Sequence, residues 1–223
     1  MNGLCTIDFH THIDWQSPFC FRSDVINIVS LPAEQQQLKL PENTLATLEL
    51  HPWYGKSVDG KFLEAASSEK FIGIGEVGLD RIKGKLPLDE QINIFRQCVK
   101  TAQEHNKPLT IHCVKCFSEL LQIYKELRWQ VPTIIHYFKN NASLAKQLYK
   151  HTPFILSLPP GVPQELLQTI RNNPAYLQRF VLETDDPDGD IVQHYQTIAH
   201  ALDLSLEDLQ KAMCEQFQRI YHG

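Results

Sequence analysis

Two hydrophobic patterns alternate along the 223-residue chain. Short runs rich in Ile, Val, Leu and Phe fall at Leu4–Asp8, Val25–Ser30, Ala46–His51, Phe71–Val77, Leu109–Cys113, Thr133–Phe138, Phe154–Leu158 and Phe180–Asp185. They show little in/out alternation, which predicts parallel strands covered on both faces. Between them apolar residues recur every three or four positions, as in Leu88, Ile92, Phe95, Val99 and Ala102. Phe117, Leu120, Leu121, Tyr124 and Leu127 repeat that stripe, as do Leu166, Leu167 and Ile170, and finally Leu206, Leu209, Met213, Phe217 and Ile220. Such stripes predict helices that pack one face on a sheet. Ser205 and Asp208 form a capping-box pattern at the start of the last helix. Helices between the early strands are predicted to be short, with Ser17–Asp24 offering little more than two turns. Eight strands alternating with helices predict an α/β fold of the TIM-type (β/α)8 barrel class rather than an open doubly wound sheet.

Composition narrows the picture. An apolar content of 43% supports a core of ordinary size, and no linker, charge block or low-complexity tract interrupts the chain. A single compact domain spanning residues 1–223 is therefore expected. A formal charge of −5 gives no bulk attraction for polyanions, so a nucleic-acid substrate would depend on local lysines or bound metal. No leading apolar segment and no run of bilayer length is present, which predicts a cytoplasmic, soluble protein with no membrane partner. The six cysteines (Cys5, Cys20, Cys98, Cys113, Cys116 and Cys214) read as buried thiols in a reducing compartment. Cys113 and Cys116 make a C-x-x-C pair, but no second pair completes a zinc knuckle and no thioredoxin-like unit follows.

Candidate chemistry sits at the strand ends. His10 and His12, in Asp8-Phe9-His10-Thr11-His12, are alternate residues of a strand and share a face, so both imidazoles can reach one metal. Glu76 lies inside the apolar run Phe71-Ile72-Gly73-Ile74-Gly75-Glu76-Val77-Gly78, where a carboxylate is costly to bury unless a cation compensates it. The same run fits G-x-G-x-x-G, yet a loop rather than a helix follows and Glu76 would repel phosphates, so a dinucleotide site is not expected. His112 and His136 close the fifth and sixth strands, and Asp185 closes the eighth. Imidazoles and carboxylates are together the donor set of a divalent-metal hydrolase centre, and strand ends of a closed barrel converge on one face. Asp8, Asp14, Glu183 and Asp186 are expected as outer hydrogen-bond partners or turn residues. His105, His151, His194, His200 and His222 attract no functional assignment.

The runs D-F-H-T-H-I-D, G-E-V-G-L-D, I-H-C, H-Y-F and E-T-D-D-P, in that order across residues 8–188, resemble the TatD-type metal-dependent deoxyribonucleases of the amidohydrolase superfamily. The resemblance implies a barrel carrying two divalent ions (Zn, Mn, Mg, Ni or Fe). It implies His10, His12, Glu76 and Asp185 as ligands of one ion, and Glu76, His112 and His136 as ligands of the other. Several positions around these ligands depart from the family pattern. Val114, followed by Lys115, stands where the family places an Arg, and Asn140 stands where it places a Gly. Trp53 replaces the second His of the family's G-x-H-P-H, here Glu49-Leu50-His51-Pro52-Trp53, and Asp188 replaces a Tyr.

The resulting expectation is a two-metal hydrolase, foremost a phosphodiesterase or deoxyribonuclease acting on DNA or oligonucleotide ends. Glu76 would bridge the ions, and Asp185 would both ligate and take the proton of the attacking water. Lys115, Arg81 and Lys139, just past strand ends, are candidate phosphate contacts, and His51 and Trp53 are candidate substrate contacts, Trp53 by stacking. Two alternatives stand beside this reading: hydrolysis of a small amide, ester or lactone, and a non-catalytic metal-binding scaffold. The sequence indicates no protein partner.

Overall fold

The computed structural model describes residues 6–14 and 21–223. Its strands are β1 Thr6–Thr11, β2 Val25–Pro32, β3 Thr44–Leu50, β4 Phe71–Asp80, β5 Leu109–Val114, β6 Thr133–Ile135, β7 Ile155–Leu158 and β8 Phe180–Leu182. The helices are α1 Gly60–Ser67, α2 Leu88–Glu104, α3 Phe117–Leu127, α4 Ala142–His151, α5 Gln164–Arg171, α6 Pro174–Leu177, α7 Ile191–Leu202 and α8 Leu206–Tyr221. The strands form one eight-stranded sheet in chain order, with parallel pairing, as the (β/α)8 pattern requires. All residues of β1 are buried, as are those of β7 and β8, which is why these runs carry no polar alternation.

Boundaries differ from the sequence expectation in instructive ways. β1 runs on to Thr11 and carries His10 within the strand, while Leu4 and Cys5 lie outside the described residues. β6 stops at Ile135 and β8 at Leu182, so His136 and Asp185 lie just beyond their strands rather than closing them. The chain leaves each strand through a left-handed residue, Tyr137 at φ 49° and Asp185 at φ 59°, and that conformation ends regular pairing. Of the helix expected over Ser17–Asp24, residues 17–20 are outside the described part. The remainder forms a turn in which the Val25 N–H donates to the Arg22 carbonyl. Between β2 and β3 only a single 3-10 turn occurs, Ala33–Gln35.

Contacts divide the chain into two compact units. The first comprises Met1–Val29, Leu40–Leu45 and Tyr137–Gly223. Its core packs α7 and α8 against β1: Phe217 meets Phe9 edge to face at 6.4 Å. The Tyr195 hydroxyl donates to the Ile7 carbonyl (2.9 Å) and accepts from its N–H (3.2 Å). Burying an aromatic of this size stabilises by about 1.5–3 kcal/mol, and the paired hydroxyl avoids the cost of a buried orphan. The Arg179 guanidinium lies 4.6 Å from the Tyr149 ring centroid and donates to the carbonyls of Tyr149, Thr152 and Phe154. It thereby satisfies acceptors left open where α4 ends and β7 begins.

The second unit comprises Ser30–Lys39 and Ala46–His136. Here α2 covers β4, and Phe95 meets Trp129 edge to face at 6.2 Å. The buried Trp129 indole donates to Thr133 Oγ1 at 2.8 Å. β4 and β5 approach closely because Gly78 faces β5: a Cβ there would lie 2.0 Å from the His112 carbonyl oxygen. That approach puts the carbonyl end of β4, with Glu76, beside His112.

Candidate metal centre

In the second unit the site is built around Glu76, whose residue is 2% exposed. The Glu76 N–H donates to Ser30 Oγ (2.6 Å), and that hydroxyl donates to the Gly75 carbonyl (2.8 Å), so β2 fixes the backbone on either side of the peptide link. Three imidazoles face the same carboxylate oxygen, Oε1: His51 Nε2 at 2.8 Å, His112 Nδ1 at 2.5 Å and His136 Nε2 at 3.6 Å. The donor atoms of His51, Glu76 and His112 all lie within 4.8 Å of one another, a separation a single metal ion can span.

Asp80, four residues along β4 from Glu76, completes this half. Its Oδ2 accepts from the Trp53 indole N–H (2.6 Å) and lies 3.0 Å from His112 Nε2. Oδ1 accepts from the N–H groups of Ile82 and Lys83, each at 2.8 Å. Burial alone would raise the Asp80 pKa, but these donors outweigh it and bring it down to about 2. With His112 Nε2 turned to a carboxylate, Nδ1 faces Glu76 Oε1 at 2.5 Å, a contact bridged by a proton that a metal ion would displace as the two groups move apart. The donor set fits a divalent metal, and Asp80 is placed to aim His112 as a candidate ligand.

In the first unit His10, His12 and Asp185 come together. His12 Nε2 lies 3.2 Å and His10 Nε2 3.6 Å from Asp185 Oδ1. The His10 and His12 rings sit edge to face at 5.1 Å, although only His10 is in the strand and His12 lies just past its end at Thr11. Asp185 is pinned by its own N–H, which donates to the His10 carbonyl at 3.0 Å. Asp8 supports both segments: its carboxylate accepts from the Thr184 hydroxyl (2.5 Å), the Thr184 N–H (3.0 Å) and the His10 N–H (3.3 Å). Burial pushes the Asp8 carboxyl up to about 8 in spite of these bonds. Glu183 is fully buried and accepts from Ser157 Oγ and the Tyr137 N–H, each at 2.5 Å, which braces the turn after His136. A cavity of about 640 Å3 opens beside Asp185, lined by Tyr137, Lys139, Gln193, His194 and Thr197 among others.

The candidate substrate contacts fall in distinct settings. His51 is buried, its Nδ1 accepting from the Trp53 N–H at 3.1 Å. Trp53 is 38% exposed, with Lys83 Nζ 4.5 Å from its ring centroid. Arg81 pairs with Glu119 and donates to the Lys115 carbonyl (3.2 Å), while Lys115 occupies an exposed left-handed turn position between β5 and α3. Lys139 is exposed at the cavity, its Nζ 5.0 Å from the Tyr137 ring centroid. Sequence reasoning passed over Asp80 and His194. A signal for Asp80 existed, because residues 76, 78 and 80 alternate onto one face of β4. For His194, whose Nε2 donates to the Leu158 carbonyl at 2.8 Å, nothing in α7 distinguishes it from a surface residue. Cys98, Cys113 and Cys116 are free thiols, and Cys5 and Cys20 lie outside the described residues.

Comparison with known proteins places the fold and the family. The structure of the TatD homolog YJJV from Escherichia coli superposes with a TM-score of 0.78 at 17% identity, covering 99% of this chain and 100% of that one. A hydrolase TatD family protein from Entamoeba histolytica gives 0.75 at 16% identity, over 97% of this chain and 98% of that one. Both establish the barrel fold. In sequence, the metal-dependent hydrolase YabD of Bacillus subtilis is 33% identical over 132 residues, 56% of this chain and 49% of that protein. The human 3'-5' RNA nuclease TATDN2 is 30% identical over 145 residues, 60% of this chain and 18% of that protein. The matched stretches thus span half or less of these relatives. Residues 7–222 match the TatD related DNase family, and the chain belongs to that family.

Proposed function

We propose that the protein is a divalent-metal-dependent phosphodiesterase that cleaves nucleotides from nucleic-acid ends. The observation that carries this reading is the buried Glu76 carboxylate, met on one oxygen by the nitrogens of His51, His112 and His136. A carboxylate so enclosed is costly unless positive charge compensates it. We assign His10, His12, Glu76 and Asp185 to one ion and Glu76, His112 and His136 to a second, following the family order of ligands. Bound divalent ions supply Lewis-acid polarisation of a phosphoryl oxygen and make a water acidic enough to attack near neutral pH.

The chain's own groups do the rest. Asp185 takes the proton of the attacking water on its carboxylate and hands it on to the leaving oxygen. The bond from its N–H to His10 keeps the carboxylate aimed while it does so. Asp8 and Thr184 hold the two segments carrying His10 and Asp185 in register. Lys139 and Lys115 steady the phosphate, with Lys139 at the cavity beside Asp185, which has the volume to admit a nucleotide-sized group.

The test is turnover of end-labelled single- and double-stranded oligonucleotides, beside chromogenic ester and lactone substrates, after chelation and re-addition of Mg2+, Mn2+ or Zn2+. We expect metal-dependent release of nucleotides and a loss of about 10²–10⁴-fold in kcat for Asp185→Asn. Turnover of esters or lactones with inert oligonucleotides would reassign the substrate. No turnover, together with no metal retained, would overturn the reading.

A further inference from the structure

Trp53 stands where an exposed aromatic would be read as a stacking platform, yet both of its N–H groups are committed. Its backbone N–H donates to His51 Nδ1 at 3.1 Å, in the short turn Pro52–Tyr54 that begins at His51. A neutral imidazole that accepts at Nδ1 carries its hydrogen on Nε2, and that nitrogen lies 2.8 Å from Glu76 Oε1. His51 therefore donates to Glu76 and offers it no lone pair. The indole N–H donates to Asp80 Oδ2 at 2.6 Å, the oxygen that also sits 3.0 Å from His112 Nε2. The other Asp80 oxygen is filled by the Ile82 and Lys83 N–H groups, which hold the carboxylate as a pure acceptor. His112 then donates from Nε2 to Asp80, and its Nδ1 meets Glu76 Oε1 at 2.5 Å, a hydrogen-bond contact that shares one proton in the metal-free protein. The three rings interlock edge to face: Trp53 lies 4.7 Å from His51 and 5.7 Å from His112.

From this we propose that Trp53 is a positioning residue that sets the hydrogen placement of His51 and, through Asp80, of His112, so that one imidazole steadies Glu76 and the other turns Nδ1 to it, where a cation would replace the shared proton. The inference deepens the metal-site reading above and rests on Glu76 and His112 being ligands. It assigns Trp53 and His51 to the support of the centre rather than to substrate.

The experiment uses the full chain labelled with 15N-histidine and stripped of metal with a chelator. Two-bond 15N–1H correlation spectra then read each ring's hydrogen placement, and competition with a chromophoric chelator reads Zn2+ and Mn2+ affinity. In the wild type both His51 and His112 should show hydrogen on Nε2. Trp53→Phe keeps the ring and the backbone N–H but removes the indole donor. It should leave His51 unchanged, mix the two forms of His112 and weaken metal binding about 10–100-fold. Asp80→Asn should produce the same loss at His112, and the double variant should be little worse than either single one, since both break one relay. An unchanged His112 spectrum with affinity within about twofold of wild type in a folded Trp53→Phe or Asp80→Asn protein overturns the proposal. A wild type that binds neither ion sinks the metal-site reading instead, while the spectra of the stripped protein still decide the relay.

Discussion

At the scale of single residues, the chain buries ionisable groups near the strand ends and surrounds them with polar partners. The six proposed ligands were legible because a histidine or acid at the end of an apolar run is chemically conspicuous. Of their supports, Asp8 and Glu183 were expected as outer hydrogen-bond partners and Asp80 was not. Asp80 matters through donors from Trp53, Ile82 and Lys83, and an indole meeting a carboxylate across 27 positions leaves no trace in local pattern. His194 is the other case. It is buried in α7, and burial holds its pKa below the ordinary 6.5 although the Leu158 carbonyl works the other way. Below pH 6.5 the unfolded chain takes up a proton that the folded chain resists. Stability should therefore fall as pH drops from that value and level off once the folded pKa is passed. His194→Gln keeps a donor for Leu158 but does not titrate. Its melting temperature should decline less than that of the wild type between about pH 7 and pH 5. Parallel melting curves across that window would show that His194 does not carry the effect.

At the scale of elements, the strands and the long helices follow the hydrophobic pattern in order, and the differences fall at the ends of short runs. α3 occupies Phe117–Leu127 as its stripe predicted, and α2 and α8 exceed theirs by only a turn or less. β6 and β8, of three residues each, end early because Tyr137 and Asp185 turn left-handed, a choice made by tertiary hydrogen bonds to Glu183 and His10. β4 shows what an element does for the site. Its pairing with β5 brings Gly78 opposite His112, and the absent side chain lets the strands close. In Gly78→Ala the new methyl would lie 2.0 Å from the His112 oxygen and 2.9 Å from its carbon, backbone atoms that cannot move without the strand. Overpacking of this kind costs about 1–3 kcal/mol. For a chain of this length that lowers the melting temperature by roughly 2–12 °C, at about 2–4 °C per kcal/mol. Metal affinity should fall with it, since His112 moves with its strand. A thermal melt and a chelator competition check both, and an unchanged melting temperature would mean that β5 yields at no cost.

At the scale of the whole molecule the balance of charge decides how a polyanion is bound. The protein carries 21 basic and 26 acidic residues, a net charge of −5. No described helix is long and apolar enough to cross a membrane. Of the basic residues just past the strand ends, Arg81 is already paired with Glu119. Binding of a nucleic-acid end should therefore rest on one or two lysine–phosphate contacts, Lys139 and Lys115, together with the metal centre. For single strands the slope of log affinity against log salt is about −0.7 per phosphate neutralised. One or two contacts give a slope of roughly −0.7 to −1.4, so raising monovalent salt fourfold should weaken binding only about 3–7-fold. A protein using a broad basic groove would lose about 10³–10⁵-fold over a similar range. The measurement is KM for a short labelled oligonucleotide at several NaCl concentrations with divalent metal held constant. Lys139→Gln should flatten the slope further while leaving the melting temperature within about 1–2 °C of wild type, since Lys139 is exposed. A steep slope in the wild type would place the main grip on nucleic acid elsewhere on the surface and remove Lys139 from that role.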